Sequence, residues 1–88
     1  MKRILVLDDE ISICTSLEFA LEDYYEVKAT TEPWQAVQWL EEENFQLCLL
    51  DLRIGQVNGI DVLMEMKSIQ NDLLVIMMTA YGSIASSV

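Results

Sequence analysis

Three short runs of this chain are apolar almost throughout and stop abruptly at a residue with an oxygen-bearing side chain. Ile4 to Leu7 ends at Asp8 and Asp9, Gln46 to Leu50 ends at Asp51, and Leu73 to Met78 ends at Thr79. A strand this short, without polar alternation, has both faces buried, as the central strands of a parallel sheet do when helices cover each side. Tyr25 to Ala29 differs, because Tyr25, Val27 and Ala29 alternate with Glu26 and Lys28. It reads as a strand with one wet face, at a sheet edge.

Helical spacing fills the intervals. Between Ile11 and Leu21 the apolar residues Ile13, Cys14, Leu17, Ala20 and Leu21 recur every three or four positions, which predicts one buried face with Ser12, Glu18 and Glu22 toward solvent. Thr30, Thr31 and Pro33 open a second helix, with Ala36, Val37 and Leu40 as its inner stripe and Trp34 and Trp39 packing at the edge of the core. A third helix, capped by Asn58, follows a loop containing Gly55 and Gly59, and Ile60, Leu63, Met64 and the stem of Lys67 are expected to line it. Ser83 reads as the cap of a fourth helix that has barely begun at Val88. Met64, Met66, Met77 and Met78 fall in these apolar runs and are expected to fill the core. Strand and helix alternate throughout, so the fold class is α/β, a doubly wound parallel sheet with right-handed crossovers.

A chain of 88 residues holds one core, and 52% hydrophobic content is too high for a disordered segment. The net charge of -10, from 15 acidic and 5 basic residues, disfavours direct contact with nucleic acid or an anionic membrane and favours cations and basic protein surfaces. The absence of histidine removes the commonest general base, the usual zinc ligand and every Ser-His or Cys-His nucleophile pair, which leaves carboxylate chemistry. Cys14 and Cys48 stand singly inside apolar patterns and read as buried free thiols, which suits a reducing cytoplasm. The apolar run after Lys2 and Arg3 stops too soon for a signal peptide, and no run reaches the ~20 residues of a membrane span.

In a parallel sheet the residue just past each strand lies at the carboxyl edge, where open α/β folds bind ligands. Asp8, Asp9, Asp51 and Thr79 all occupy that position. Taken singly, Asp8 or Asp9 would be a helix N-cap, Asp51 a turn residue and Thr79 a strand-end hydroxyl. Their coincidence at successive strand ends points instead to one crevice. Three carboxylates held close repel, which raises their pKa values or recruits a cation, and all-oxygen ligation suits Mg²⁺. One of them could then act as a nucleophile toward phosphorus, and Thr79 could donate its hydroxyl to a phosphoryl oxygen.

These residues resemble a known family. Ile4-Leu5-Val6-Leu7-Asp8-Asp9-Glu10, then Leu49-Leu50-Asp51-Leu52-Arg53 with Asn58-Gly59 following, then Val75-Ile76-Met77-Met78-Thr79-Ala80-Tyr81-Gly82, are similar to the three successive signatures of response-regulator receiver domains of two-component signalling. The resemblance implies a flavodoxin-like sheet of strand order 2-1-3-4, with the family's fifth strand and fifth helix missing, so that residues 1–88 form a receiver domain incomplete at its C-terminus. It implies Asp51 as phosphoacceptor and Mg²⁺ ligand, Asp9 as a direct ligand, Asp8 acting mainly through a coordinated water, and Arg53 offering its backbone carbonyl to the metal. Thr79 would be the switch hydroxyl, with small Ala80 leaving the acceptor approachable and Arg53 and Tyr81 placed where relatives tune hydrolysis.

Resemblance also implies a sensor histidine kinase as phosphodonor and a module that phosphorylates and dephosphorylates itself and is not classed as an enzyme. The stretch from Thr79 to Val88 is most similar to receivers of enhancer-binding transcription activators. Two departures stand out. Ile54-Gly55-Gln56-Val57 replaces the family's Met-Pro-Gly loop, and no lysine follows Lys67 to pair with the phosphoryl group. The fourth strand is expected to present an open apolar edge, a route to a homodimer or swapped dimer. The alternative function is a pseudo-receiver that binds a partner without phosphorylation. A haloacid-dehalogenase-type phosphatase would need an acid where Arg53 stands, and a flavin binder would not tolerate Asp8-Asp9-Glu10 in its phosphate loop.

Overall fold

The computed structural model describes residues 1–78 and, at the level of the backbone, 84–87. Its elements run β1 (Arg3–Leu7), α1 (Ile11–Leu21), β2 (Glu26–Thr30), α2 (Pro33–Glu42), β3 (Leu47–Asp51), the two-residue strands β4 (Arg53–Ile54) and β5 (Val57–Asn58), α3 (Gly59–Ile69), β6 (Leu74–Met78) and β7 (Ile84–Ser87). The main sheet has the order β2-β1-β3-β6-β7, and its first four strands are parallel. The expected order 2-1-3-4 is therefore present, with β6 as the fourth parallel strand.

Alternation along β1 explains why that run carries no polar residue. Leu5 and Leu7 enter one core with Ala36 and Leu40 of α2 and Val62 and Met66 of α3, while Ile4 and Val6 enter a second core beneath α1 with Cys14. Phe45, Cys48, Leu50, Ile54, Leu73, Val75 and Met77 complete the larger core. Burying each large side chain there contributes roughly 1.5–3 kcal/mol.

The amino edge of the sheet is fastened by polar contacts. Gln70, just past α3, donates through Nε2 to the carbonyls of Leu40 (3.2 Å) and Glu43 (2.8 Å) and accepts from the Phe45 N–H (3.1 Å). Arg3 reaches Glu26 at 2.7 Å and Glu43 at 3.3 Å, and Lys28 pairs with Glu43 while lying over the Trp39 ring. With one end tied in this way, the carboxyl edge is left to carry the polar strand ends.

Several side chains depart from expectation. Of the α1 residues predicted to face inward, Cys14, Leu17 and Leu21 do, whereas Ile13 and Ala20 are exposed. On α3 the buried face is Gly59, Val62 and Met66, with Leu63 beside it; Ile60 and Met64 point to solvent. Trp39 packs against the core as expected, but Trp34 is exposed. Met66 and Met77 fill the core and Met64 does not. Thr30 does not cap α2: its hydroxyl accepts from the Glu32 N–H at 3.0 Å, Glu32 is the N-cap residue and Pro33 opens the helix. Asn58 caps α3 as predicted, its Oδ1 accepting from the Ile60 N–H at 2.9 Å.

The largest correction lies after β6. Ser83 is outside the described residues, and Ile84–Ser87 form not a helix but β7, antiparallel to β6 with Val75 opposite Ser87 and Met78 opposite Ile84. The N–H and C=O groups along the β6 edge offer Ile84–Ser87 a hydrogen-bonding ladder. The β6 edge is consequently covered within the chain itself.

Candidate functional site

The ends of β1 and β3 bring Asp8, Asp9 and Asp51 together, with one carboxylate oxygen from each lying within 4.8 Å of the others. Their environments differ. Asp8 is buried, with 6% of its surface exposed, and its Oδ1 accepts the Glu10 N–H at 2.9 Å. Asp9 is exposed, and its Oδ2 accepts the N–H of Gly55 at 3.1 Å. Asp51 is half-buried at the last position of β3, with its Oδ1 3.4 Å from the Arg53 N–H. The N-cap of α1 is Glu10, so neither Asp8 nor Asp9 serves as a helix cap.

Burial pushes the Asp51 carboxyl up to about 6, with the Asp8 charge adding to it, the Arg53 N–H opposing and Asp9 adding a smaller push. Two surroundings that disfavour a third negative charge are what a bound cation would relieve. An octahedral Mg²⁺ with oxygens at 2.0–2.1 Å sets trans oxygens about 4.2 Å apart, so the span of the three carboxylates is close to what such an ion needs. The donors are all hard oxygen, which suits Mg²⁺ or Ca²⁺ and not a thiophilic metal.

Leu52, the residue that follows Asp51, is held from both sides. Leu52 N–H donates to the Met78 carbonyl at 2.9 Å, and the Leu52 carbonyl accepts from Gly59 N–H at 2.7 Å. The pair β4–β5 follows, with Gly55 at a φ of 62°, where a side chain would be strained. Arg53, expected to offer its carbonyl to a metal, opens β4. Thr79, Ala80 and Tyr81 lie outside the described residues. Lys67 donates to the Leu73 carbonyl at 2.7 Å, which fastens the end of α3 and agrees with its exclusion from the crevice.

Three residues at the site were named from the sequence without being given a part in it. Gly55 contributes only its N–H, and Cys14 lies with its Sγ 3.4 Å from the Asp8 carbonyl and 3.5 Å from that of Thr30. Gly59 sits against the backbone of Asp51 and Leu52. Glycine after asparagine at a helix start was the available signal for the last; backbone and thiol contacts leave none.

Comparison with known proteins bears on the same region. The chain is 39% identical over 87 residues to the alginate biosynthesis transcriptional regulatory protein AlgB of Pseudomonas putida, covering 98% of this chain and 19% of that protein, so it spans about a fifth of that relative's length. Among solved structures it resembles the response regulator TrrA in complex with histidine kinase ThkA, at 33% identity, TM-score 0.82, and 99% and 76% of the respective chains. It also resembles a response regulator from Burkholderia pseudomallei with a phosphorylated aspartic acid, a calcium ion and citrate, at 26% identity and TM-score 0.85, covering 94% of this chain and 49% of that one. Among the described residues no helix is long and apolar enough to cross a membrane. The family model for the response regulator receiver domain matches residues 4–88, and the chain belongs to that family.

Proposed function

We propose that this chain is the phosphoacceptor receiver module of a two-component response regulator: Asp51 accepts a phosphoryl group from a sensor histidine kinase, and the change of state controls an output. The observation that carries this reading is the convergence of Asp51 with Asp8 and Asp9 at the carboxyl edge, oxygens within 4.8 Å. Asp9 and Asp51 would hold Mg²⁺ directly, Asp8 through a water, and Arg53 through its backbone carbonyl. Bound there, the ion supplies neutralisation of charge on the phosphoryl oxygens.

In the transfer, an Asp51 carboxylate oxygen forms a bond to phosphorus as the bond from phosphorus to the donor imidazole nitrogen breaks, the electron pair leaving with the imidazole. With its carboxyl raised to about 6, Asp51 is still mostly ionised at neutral pH yet more basic than an ordinary carboxylate. Thr79 takes the role of switch hydroxyl. The protein acts on its own side chain, so its counterpart is a kinase and not a turnover substrate; the resemblance to a regulator in complex with a histidine kinase supports that partner. Two buried free thiols favour the cytoplasm. Strand exchange with a second copy would require β7 to leave β6.

The test is incubation with Mg²⁺ and a small acyl phosphate, followed by intact mass, for the chain and for Asp51→Asn. Gain of one phosphoryl group by the first and none by the second is expected. Labelling that persists in Asp51→Asn, or none in either, would overturn the assignment.

A further inference from the structure

We infer that Gly59 is a positioning residue for the acceptor, holding the Asp51–Leu52 peptide in place because it has no side chain. This rests on the reading of Asp51 as phosphoacceptor. A Cβ built on Gly59 would stand 2.5 Å from the Asp51 carbonyl oxygen, 2.7 Å from the Leu52 carbonyl oxygen and 2.9 Å from the Leu52 carbonyl carbon, where ordinary contact begins at 3.4 Å. All three atoms are backbone, so no rotamer change relieves the overlap. The Gly59 φ is not positive, and the requirement is therefore for space and not for a left-handed turn.

Closeness is used as well as tolerated. The Gly59 N–H donates to the Leu52 carbonyl at 2.7 Å while the Leu52 N–H donates to the Met78 carbonyl at 2.9 Å, so Leu52, the residue after the acceptor, is clamped between the first turn of α3 and the end of β6. Asn58 fastens the clamp by capping that turn at 2.9 Å. Gly59 is buried and opens α3. Any atom added at its Cα must drive apart α3 and the residue whose carboxylate has to meet Asp8, Asp9 and a phosphoryl donor.

Gly59→Ala must open this contact by several tenths of an ångström. Misplacement on the order of 1 Å at a reacting group costs up to about a hundredfold in rate. The experiment measures Mg²⁺ affinity by calorimetry and the rate of labelling by a small acyl phosphate for the wild type, Gly59→Ala, Asn58→Ala and Val62→Ala. Val62 is buried in the larger core on the same helix, and its truncation tests what a loss of packing does without the backbone overlap. Expected are at least about tenfold slower labelling and severalfold weaker Mg²⁺ binding for Gly59→Ala, smaller losses of the same kind for Asn58→Ala, and wild-type values for folded Val62→Ala.

Equal losses in Val62→Ala, or wild-type values in Gly59→Ala, would overturn the role. If Gly59→Ala does not fold, Asn58→Ala decides by the same measurements. A wild type that binds Mg²⁺ but takes no label would refute the proposed function, while the Mg²⁺ affinities of the variants would still decide whether Gly59 positions the carboxylate.

Discussion

Replacing Asp51 with asparagine is expected to stabilise the metal-free protein at neutral pH while removing the proposed acceptor. The carboxyl is pushed from 3.8 to about 6, first by burial and then by the Asp8 charge. Between those values the native state binds a proton that the unfolded chain has released, so stability is full below 3.8 and falls as pH rises through about 6. At about 1.4 kcal/mol for each pH unit, the full effect would be about 3 kcal/mol. Asp51 lies at a crevice open to solvent, and screening reduces the expected cost to about 1–2 kcal/mol.

Asparagine keeps the shape and can still accept the Arg53 N–H, but it carries no charge to repel. In EDTA at pH 7.5, Asp51→Asn should melt about 5–10 °C above the wild type, and the gap should close as the pH falls below about 4. Adding Mg²⁺ should shrink the gap from the other side, since an ion held at ten times its dissociation constant stabilises the wild type by about 1.4 kcal/mol. Thermal melts followed by circular dichroism from pH 3.5 to 8, with and without Mg²⁺, measure both effects. A variant no more stable than the wild type at pH 7.5 without metal, or a gap constant across pH, would refute the assignment of charge repulsion at this site.

Gln70→Ala removes two donations and one acceptance at the amino edge and is expected to cost about 2 kcal/mol in urea unfolding, without changing Mg²⁺ affinity. Met66→Ala empties a fully buried position of the larger core and is expected to cost about 2–5 kcal/mol by the same measurement. Because β7 covers β6, light scattering at micromolar concentration is expected to give a folded monomer; a stable dimer would show that the covering strand is exchanged between chains.

The fold class was legible because continuous apolar runs and strand-end acids are both local signals. Asp8, Asp9 and Asp51 needed no more than the rule that parallel strands end at one edge. β7 was not legible, since Ile84–Ser87 take their conformation from the edge of β6 and not from their own propensity. The contact between Asp9 and Gly55 was hidden for a related reason, because a backbone N–H belongs to every residue and marks none.

The phase of α3 is the more instructive failure, because two apolar sets compete along it. Ile60 and Met64 are separated by one helical turn, and so are Val62 and Met66. Periodicity alone cannot choose between faces that are both apolar at that spacing. The choice is made at the first residue: Gly59 presses against the Asp51–Leu52 backbone, so the face it starts is the inner one. Positions three and seven further on are Val62 and Met66, and these are the buried ones. A glycine read from the sequence as a loop residue and as part of the Asn58-Gly59 signature thus carried the information that fixes both the burial of the third helix and the seat of Asp51.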